Sequence, residues 1–352
     1  MTTARLVSFN DEKKLEKFYD FVYGEKHILN NTAHHDWQFL SNPYNSLNTK
    51  SIVVAEDNDQ LIAHMGLIPV PVKIYNEIKL CAWHVSFFTL EEFRGMGLGT
   101  KMIQFSDSIF DGVGAMGSSD SARRIHIKNG GKNFDKINRY IKILNKKNVE
   151  NFAKTKFVLG DNEEIIENET DFQRIKILNE QYENFWNVVK ERFPITVNRT
   201  QQYLTWRFLE NPLIDYHFMV LTKNHKILGY AVLRFEDQNK ILKAGRIVDF
   251  VSFENSEKIL LKNIINYFRN KVDFIDFFCS GEFYKDTFEK NGFFNNFLSN
   301  YSIPTVFNPI NNDRNSIDLH FKIKNFSTDN SKYYNYDNLF FVKSDADQDR
   351  AF

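Results

Sequence analysis

The stretch FFTLEEFRGMGLGT, Phe87 to Thr100, joins an apolar run to a short acidic turn and then to glycines at alternate positions. Gly95, Gly97 and Gly99 let backbone N–H groups approach an anion without Cβ interference. From Leu98 and Thr100 onward the sequence can run as a helix, whose N-terminal partial charge favours a pyrophosphate. Arg94 adds a full positive charge, and Met96 fills the remaining loop position. The pattern lacks the Gly-Lys-Ser/Thr of a P-loop and the distant acidic residue of a dinucleotide fold. What remains is Arg-x-x-Gly-x-Gly, spanned by Arg94, Gly97 and Gly99.

Composition bounds what surrounds this loop. A chain of 352 residues, 42% hydrophobic and 26% charged, has the length for two domains with cores of their own. Lys plus Arg and Asp plus Glu balance at 45 each, which argues against a nucleic-acid partner. The two cysteines, Cys81 and Cys279, sit in apolar strand-like runs and read as small buried hydrophobes in a reducing compartment. The opening residues lack a signal-peptide pattern and no apolar run reaches the length of a membrane span, so the expected location is the cytoplasm.

Taken in order, the chain predicts a helix over 12–23, strands over 51–56 and 61–72, and a long strand over 78–90 that runs into the glycine loop. A helix to about Ile109, a strand near Ala115, and a helix over 120–128 stopped by Gly130 and Gly131 follow. The segment Asn145 to Asp171 is charged and Asn-rich, as a linker is.

Beyond it the sequence repeats itself. Trp37-Gln-Phe-Leu-Ser-Asn-Pro43 recurs as Trp206-Arg-Phe-Leu-Glu-Asn-Pro212, and NDQLIAHM from Asn58 recurs as NHKILGYA from Asn224. The helix from Thr100 matches that from Lys262, and Lys128-Asn-Gly130 matches Lys290-Asn-Gly292, both at an offset of 162. Two copies of one fold are implied. At that offset Arg94, Gly95, Gly97 and Gly99 fall opposite Ser256, Glu257, Ile259 and Leu261, so the second copy replaces the cradle with bulk and a negative charge.

Arg-x-x-Gly-x-Gly after a long strand, in this order of elements, resembles the coenzyme A pyrophosphate signature of the GNAT superfamily of acyltransferases. The resemblance implies a mixed α/β fold of two tandem GNAT domains, the second degenerate: 1–145 binding acyl-CoA, a linker over 146–175, a degenerate domain over 176–310, and a tail over 311–352 packing back on the protein. It also implies that Phe87, Phe88 and Thr89 pair with the pantetheine arm, that the amides from Gly95 to Thr100 hold the pyrophosphate, and that Ser119 lies at the coenzyme. The family commonly has Asn at Ser119 and Tyr at His126, and this sequence departs at both positions. The repeated Trp-x-Phe-Leu-x-Asn-Pro and the ending DADQDR look like those of bacterial tandem-GNAT proteins of surface-polysaccharide and amino-sugar pathways.

Acyl transfer needs a neutral amine, a donor for the carbonyl oxygen and a proton for the departing thiolate. A strand N–H near Thr89 can polarise the carbonyl. His126, if protonated near neutrality, suits the general acid. His84 is the candidate base, although strand alternation places it on the face away from Trp83, Val85 and Phe87, so that only a bulge would bring it to the acceptor. His34, His35 and His64 are weaker candidates. Both Trp37 and Trp206 read as packing, because the copy without the loop keeps its tryptophan.

The expected activity is therefore transfer of an acetyl or short acyl group from acetyl-CoA, without a metal, to a small-molecule amine, foremost a nucleotide-linked amino sugar. An amino acid or polyamine acceptor is the nearest alternative. A peptidoglycan-type aminoacyl transferase and a non-enzymatic acyl-CoA sensor are readings of other classes.

Overall fold

The computed structural model describes residues 3–158, 170–238, 242–296, 303, 316–326 and 329–350. The middle of the expected linker and the expected boundary at 310 lie outside these residues. The first half contains β1 (Ala4–Leu6), α1 (Glu12–Tyr23), α2 (Thr32–Phe39), β2 (Ile52–Asp57), β3 (Gln60–Ile74), β4 (Glu77–Thr89), α3 (Leu98–Ile109), β5 (Gly112–Met116), α4 (Asp120–Lys128), β6 (Lys132–Phe134) and β7 (Asn138–Ile143). After α5 (Lys146–Ala153) come β8 (Asp171–Ile175), α6 (Glu180–Val189), β9 (Ile195–Val197), α7 (Gln201–Leu204), β10 (His217–Lys223), β11 (Lys226–Gln238), β12 (Leu242–Ser252), α8 (Glu257–Phe268), β13 (Phe274–Cys279), α9 (Lys285–Lys290) and β14 (Phe294–Asn295). The chain ends with β15 (Leu319–Ile323), α10 (Ser331–Tyr334) and β16 (Leu339–Phe340). Among the described residues no helix is long and apolar enough to cross a membrane.

These strands form two mixed sheets. The first runs β1-β2-β3-β4-β5-β15-β6, with β9 added to β3 and β16 to β9; the second runs β14-β7-β13-β12-β11-β10-β8. The halves exchange strands. β7, from the first half, pairs with β13 in the second sheet, while β15, near the chain end, inserts between β5 and β6 in the first. Arg139 on β7 anchors this exchange, its guanidinium donating to Asp276 on β13 at 2.9 and 3.0 Å while Arg246 on β12 meets the same carboxylate. All three are buried, so each charge depends on the others being present.

β3 is the spine of the first sheet, with every residue from Leu61 to Ile74 buried. Pro69 and Pro71 fall where β3 has passed the end of β2 and not yet reached β9, so their missing N–H groups leave a gap that neither neighbour needed. One hydrophobic core runs through both halves and includes Trp37, Trp83, Trp186, Trp206 and Phe340. Cys81 and Cys279 are buried and free, and burial raises both thiols.

Candidate active site

The site begins where two parallel strands part. β4 and β5 are paired only at Cys81–Gly112, Ala82–Val113 and Trp83–Gly114. β4 then continues to Thr89 with β3 alone beside it, leaving an open edge on Val85 to Thr89. At the same point β4 carries a bulge: His64 pairs with Phe88 and Gly66 with Val85, so Ser86 and Phe87 both stand opposite Met65. Ser86 adopts φ +49° to make this turn. Its carbonyl accepts from His64 Nδ1 at 2.9 Å and from the Tyr23 hydroxyl at 3.3 Å. His64 Nε2 in turn accepts from Tyr19, so the bulge is held from the α1 side.

The bulge changes which residues share a face. Simple alternation puts His84 with Phe88 and Phe87 with Trp83. In the structure Phe87 lies on the face of α3 and α4, near His126, while Phe88 packs on Phe18 of α1. The displacement follows His84 rather than preceding it. His84 therefore stays beneath α3, its Nε2 bonded to Ser106 Oγ at 2.8 Å, fully enclosed. The bulge leaves it on the α3 face of β4.

The glycines divide into two kinds. Gly95 and Gly97 have φ +81° and +77°, and a Cβ on either would meet nothing within 4 Å, so their backbone faces open space. Gly97 caps α3, and the N–H groups of Leu98, Gly99 and Thr100 start the helix without intrahelical acceptors. This is a positive, unobstructed helix end beside an open strand edge, which suits a pyrophosphate joined to an extended arm. Gly99 is different: a Cβ there would lie 2.8 Å from Ile125 and 3.1 Å from Phe87, so this glycine serves the packing of α3 on α4. Met96 is exposed. Arg94 folds back, its Nε donating to the Thr89 carbonyl at 3.1 Å and its guanidinium over the Phe88 ring. Ser119 is exposed and caps α4 through the Ala122 N–H.

His126 is the centre of a row of three rings, 5.1 Å from His84 and stacked 5.5 Å from His320. Burial, helped by the neighbouring His320, lowers its pKa to about 3, and His84 is likewise held well below the ordinary range. The expectation of a protonated His126 near neutrality is thus corrected: an enclosed imidazole with other imidazoles beside it stays neutral. His320 Nε2 meets Asp318 at 2.8 Å.

Groups absent from the sequence reading lie on the opposite, α1 face of β4. Tyr23 stacks on His27 with centroids 4.5 Å apart. The tail reaches the same region: Gln348 Nε2 donates to the Met116 carbonyl at the end of β5, and Gly117, at φ +64°, leaves room for the glutamine side chain. The alternating aspartates of the tail go to arginines, Asp345 to Arg199, Asp347 to Arg350 and Asp349 to Arg234.

The second half repeats the parting of strands but fills it. β12 and β13 pair from Ala244–Phe274 to Ile247–Phe277, and β12 bulges at Val248, the residue at the offset of 162 from Ser86. There the chain's own tail enters. Val342 bridges Cys279, Ser280 Oγ donates to the Leu339 carbonyl, and Ser344 Oγ donates to the Val248 carbonyl. Glu257 opens α8, where the first half has its free helix end, and its carboxylate is held by Arg192 and Thr287. Strap and carboxylate stand where an extended arm and an anion would lie.

Residues 15–115 match the Acetyltransferase (GNAT) family. No curated protein matches the chain in sequence. Among solved structures, the fold is similar to a GCN5-related N-acetyltransferase from Anabaena variabilis ATCC 29413, at TM-score 0.57 and 10% identity over 92% of this chain and 73% of that one. It is also similar to a probable N-acyltransferase from Enterococcus faecalis V583, at TM-score 0.59 and 13% identity over the same shares. Saccharomyces cerevisiae N-myristoyltransferase, solved with bound myristoyl-CoA, gives TM-score 0.50 and 12% identity over 91% of this chain and 79% of its own. The mixed α/β fold is thus one that N-acyltransferases share, and the segment that matches the family model includes the open edge of β4 and the glycine loop.

Proposed function

We propose that this protein is an acyl-CoA-dependent N-acyltransferase whose single coenzyme site lies in the first half, along Phe87 to Thr100. The observation that carries the reading is the open edge of β4 leading directly to the N-terminus of α3, with Gly95 and Gly97 unobstructed. Acyl-CoA would supply the activated thioester. Backbone groups of Phe87, Phe88 and Thr89 orient the pantetheine arm along the strand edge, and amides from Gly95 to Thr100 neutralise the pyrophosphate. Much of the rate then comes from holding thioester and amine in line. Net transfer forms an N–C bond, breaks the C–S bond, releases one amine proton and protonates the thiolate.

His84 and His126 serve in this reading to seat α3 and α4 against β4, since neutral enclosed rings supply no cationic acid. The second half takes no coenzyme, because its slot holds the Leu339 to Asp345 strap. A nucleotide-linked amino sugar as acceptor is supported by the resemblance of the repeated Trp-x-Phe-Leu-x-Asn-Pro segments and the DADQDR ending. Thiol release from acetyl-CoA, assayed with a panel of such sugars and of amino acids, tests the activity; no thiol release with any amine would refute it.

A further inference from the structure

The tail enters the first slot with one side chain. Asp345 accepts from Arg199, and Asp349 accepts from Arg234 at 3.1 Å and from the Tyr216 hydroxyl at 2.7 Å, so the chain between them is pinned at both ends. Gln348 lies within that span. Its Nε2 donates to the Met116 carbonyl at 2.9 Å and to Asp347 Oδ1 at 3.1 Å. Met116 stands two residues past Gly114, the last residue of β5 that pairs with β4. The next N–H, that of Gly117, donates to the Asp318 carbonyl, beside β15, at 3.0 Å. Across a trans peptide the carbonyl points the other way, so the Met116 oxygen faces the gap between β4 and β5, and Gln348 caps it there. In the second half the same strap fills the gap with main chain, Val342 bridging Cys279, 162 residues on from Gly117. In the first half this amide enters instead.

Both partners of Nε2 are oxygens that only accept, which fixes the amide's orientation and turns Oε1 away from them. Oε1 lies over Gly117, 2.7 Å from where a Cβ would stand. It accepts from no described residue and is not enclosed, Gln348 being half-buried. In the reading above, with the pyrophosphate at α3 and the pantetheine arm along Thr89 to Phe87, the thioester is carried to the closed end of the gap, where this oxygen stands. Of the groups that meet there, the carbonyl oxygen and the departing sulfur only accept hydrogen bonds, whereas the amine has hydrogens to give. We infer that Gln348 orients the acceptor amine: Oε1 accepts one N–H of the neutral nitrogen and aims its lone pair at the thioester carbon. That hydrogen stays on nitrogen as the amide N–H of the product. The N–C bond forms, the C–S bond breaks, the second amine hydrogen leaves as a proton, and the thiolate takes one up. The inference rests on the N-acyltransferase reading above, and it makes the acceptor a primary amine.

The test is thiol release from acetyl-CoA by the full chain, with whichever nucleotide-linked amino sugar or amino acid is turned over fastest and with the N-methyl derivative of that amine. Gln348→Met, close in size, should lower kcat/KM for the primary amine about tenfold, as loss of one hydrogen bond does, and should narrow its lead over the N-methyl amine. Gly117→Ala, whose methyl displaces Oε1, should give a similar loss in the wild type and none further in Gln348→Met. Acetyl-CoA affinity should be unchanged in Gln348→Met. An unchanged kcat/KM in Gln348→Met, additive losses in the double variant, or a loss of acetyl-CoA affinity that accounts for the lower rate would each overturn the inference. No thiol release with any amine would instead refute the reading beneath it.

Discussion

Trp37 and Trp206 bind each other reciprocally. The indole N–H of Trp37 donates to the Trp206 carbonyl at 2.9 Å, that of Trp206 donates to the Trp37 carbonyl at 3.0 Å, and the rings stack 5.2 Å apart. The tryptophans of the two Trp-x-Phe-Leu-x-Asn-Pro segments thus meet each other through a reciprocal pair of bonds. Arg207 lies over Trp37 and donates to the carbonyls of Ser344 and Ala346, so the same joint steadies the strap. Trp37→Phe or Trp206→Phe leaves one buried carbonyl without its donor, at a cost of about 1–3 kcal/mol. Urea unfolding should show similar losses for the two variants with acetyl-CoA affinity retained; a selective loss of affinity would mean that one ring touches substrate.

The exchanged strand β7 should be sensitive to its charge network. Asp276→Asn leaves Arg139 and Arg246 buried with reduced compensation, and removing one partner of such a network costs about 3–5 kcal/mol. The expected outcome is a lower urea midpoint for the whole chain, since β7 ties the halves together. A midpoint within error of wild type would show that the exchange does not depend on this network.

The enclosed histidines predict acid sensitivity. Burial is the first cause in each case, lowering His34 and His64 to about 4 and His35 and His126 to about 3. In the unfolded chain each titrates near 6.5, so below that pH the unfolded state binds protons that the folded state refuses. Stability is full above about pH 6.5 and drains as pH falls toward 4 and below. His126→Phe removes one share and should flatten the loss; Phe288, 162 residues on, is a buried phenylalanine. Activity above neutrality should keep its pH profile in this variant, and a shifted alkaline limb would restore His126 as an acid.

Gly99 and Gly97 should separate stability from binding. A side chain at 99 meets Ile125 at 2.8 Å, and overpacking of this kind costs about 1–3 kcal/mol. Gly99→Val should therefore lower the melting temperature, an effect read by calorimetry. No change in melting would mean that α3 and α4 adjust freely.

How far the residues foretold this molecule depended on how local the governing forces are. Helix α1 lies where its apolar periodicity puts it, Glu12 to Tyr23, and α4 ends at Lys128, just before the glycines that stop it, because both signals are local in the chain. The glycine loop was legible for the same reason. Ser86 was not, since nothing in a serine announces φ +49°, and the faces of His84, Phe87 and Phe88 follow from it. The trade of β7 for β15 was hidden because both are ordinary short apolar strands whose partners are set by the tertiary fold. Histidine chemistry depends on burial, which a sequence shows only through its neighbours; Tyr23 and His27 carried no motif at all. The alternation in DADQDR was a visible sign, and for Asp345 and Asp349 its meaning lay in arginines more than a hundred residues away.

The open edge of β4 and the filled second slot predict one coenzyme site per chain, at the N-terminus of α3. Isothermal titration with acetyl-CoA measures this directly, on the wild type and on Gly97→Trp, whose side chain would enter the open space at φ +77°. The expected result is one equivalent bound by the wild type and affinity lowered at least about tenfold in a variant that still melts cooperatively. Absence of binding, two equivalents per chain, or binding unchanged by Gly97→Trp would contradict it.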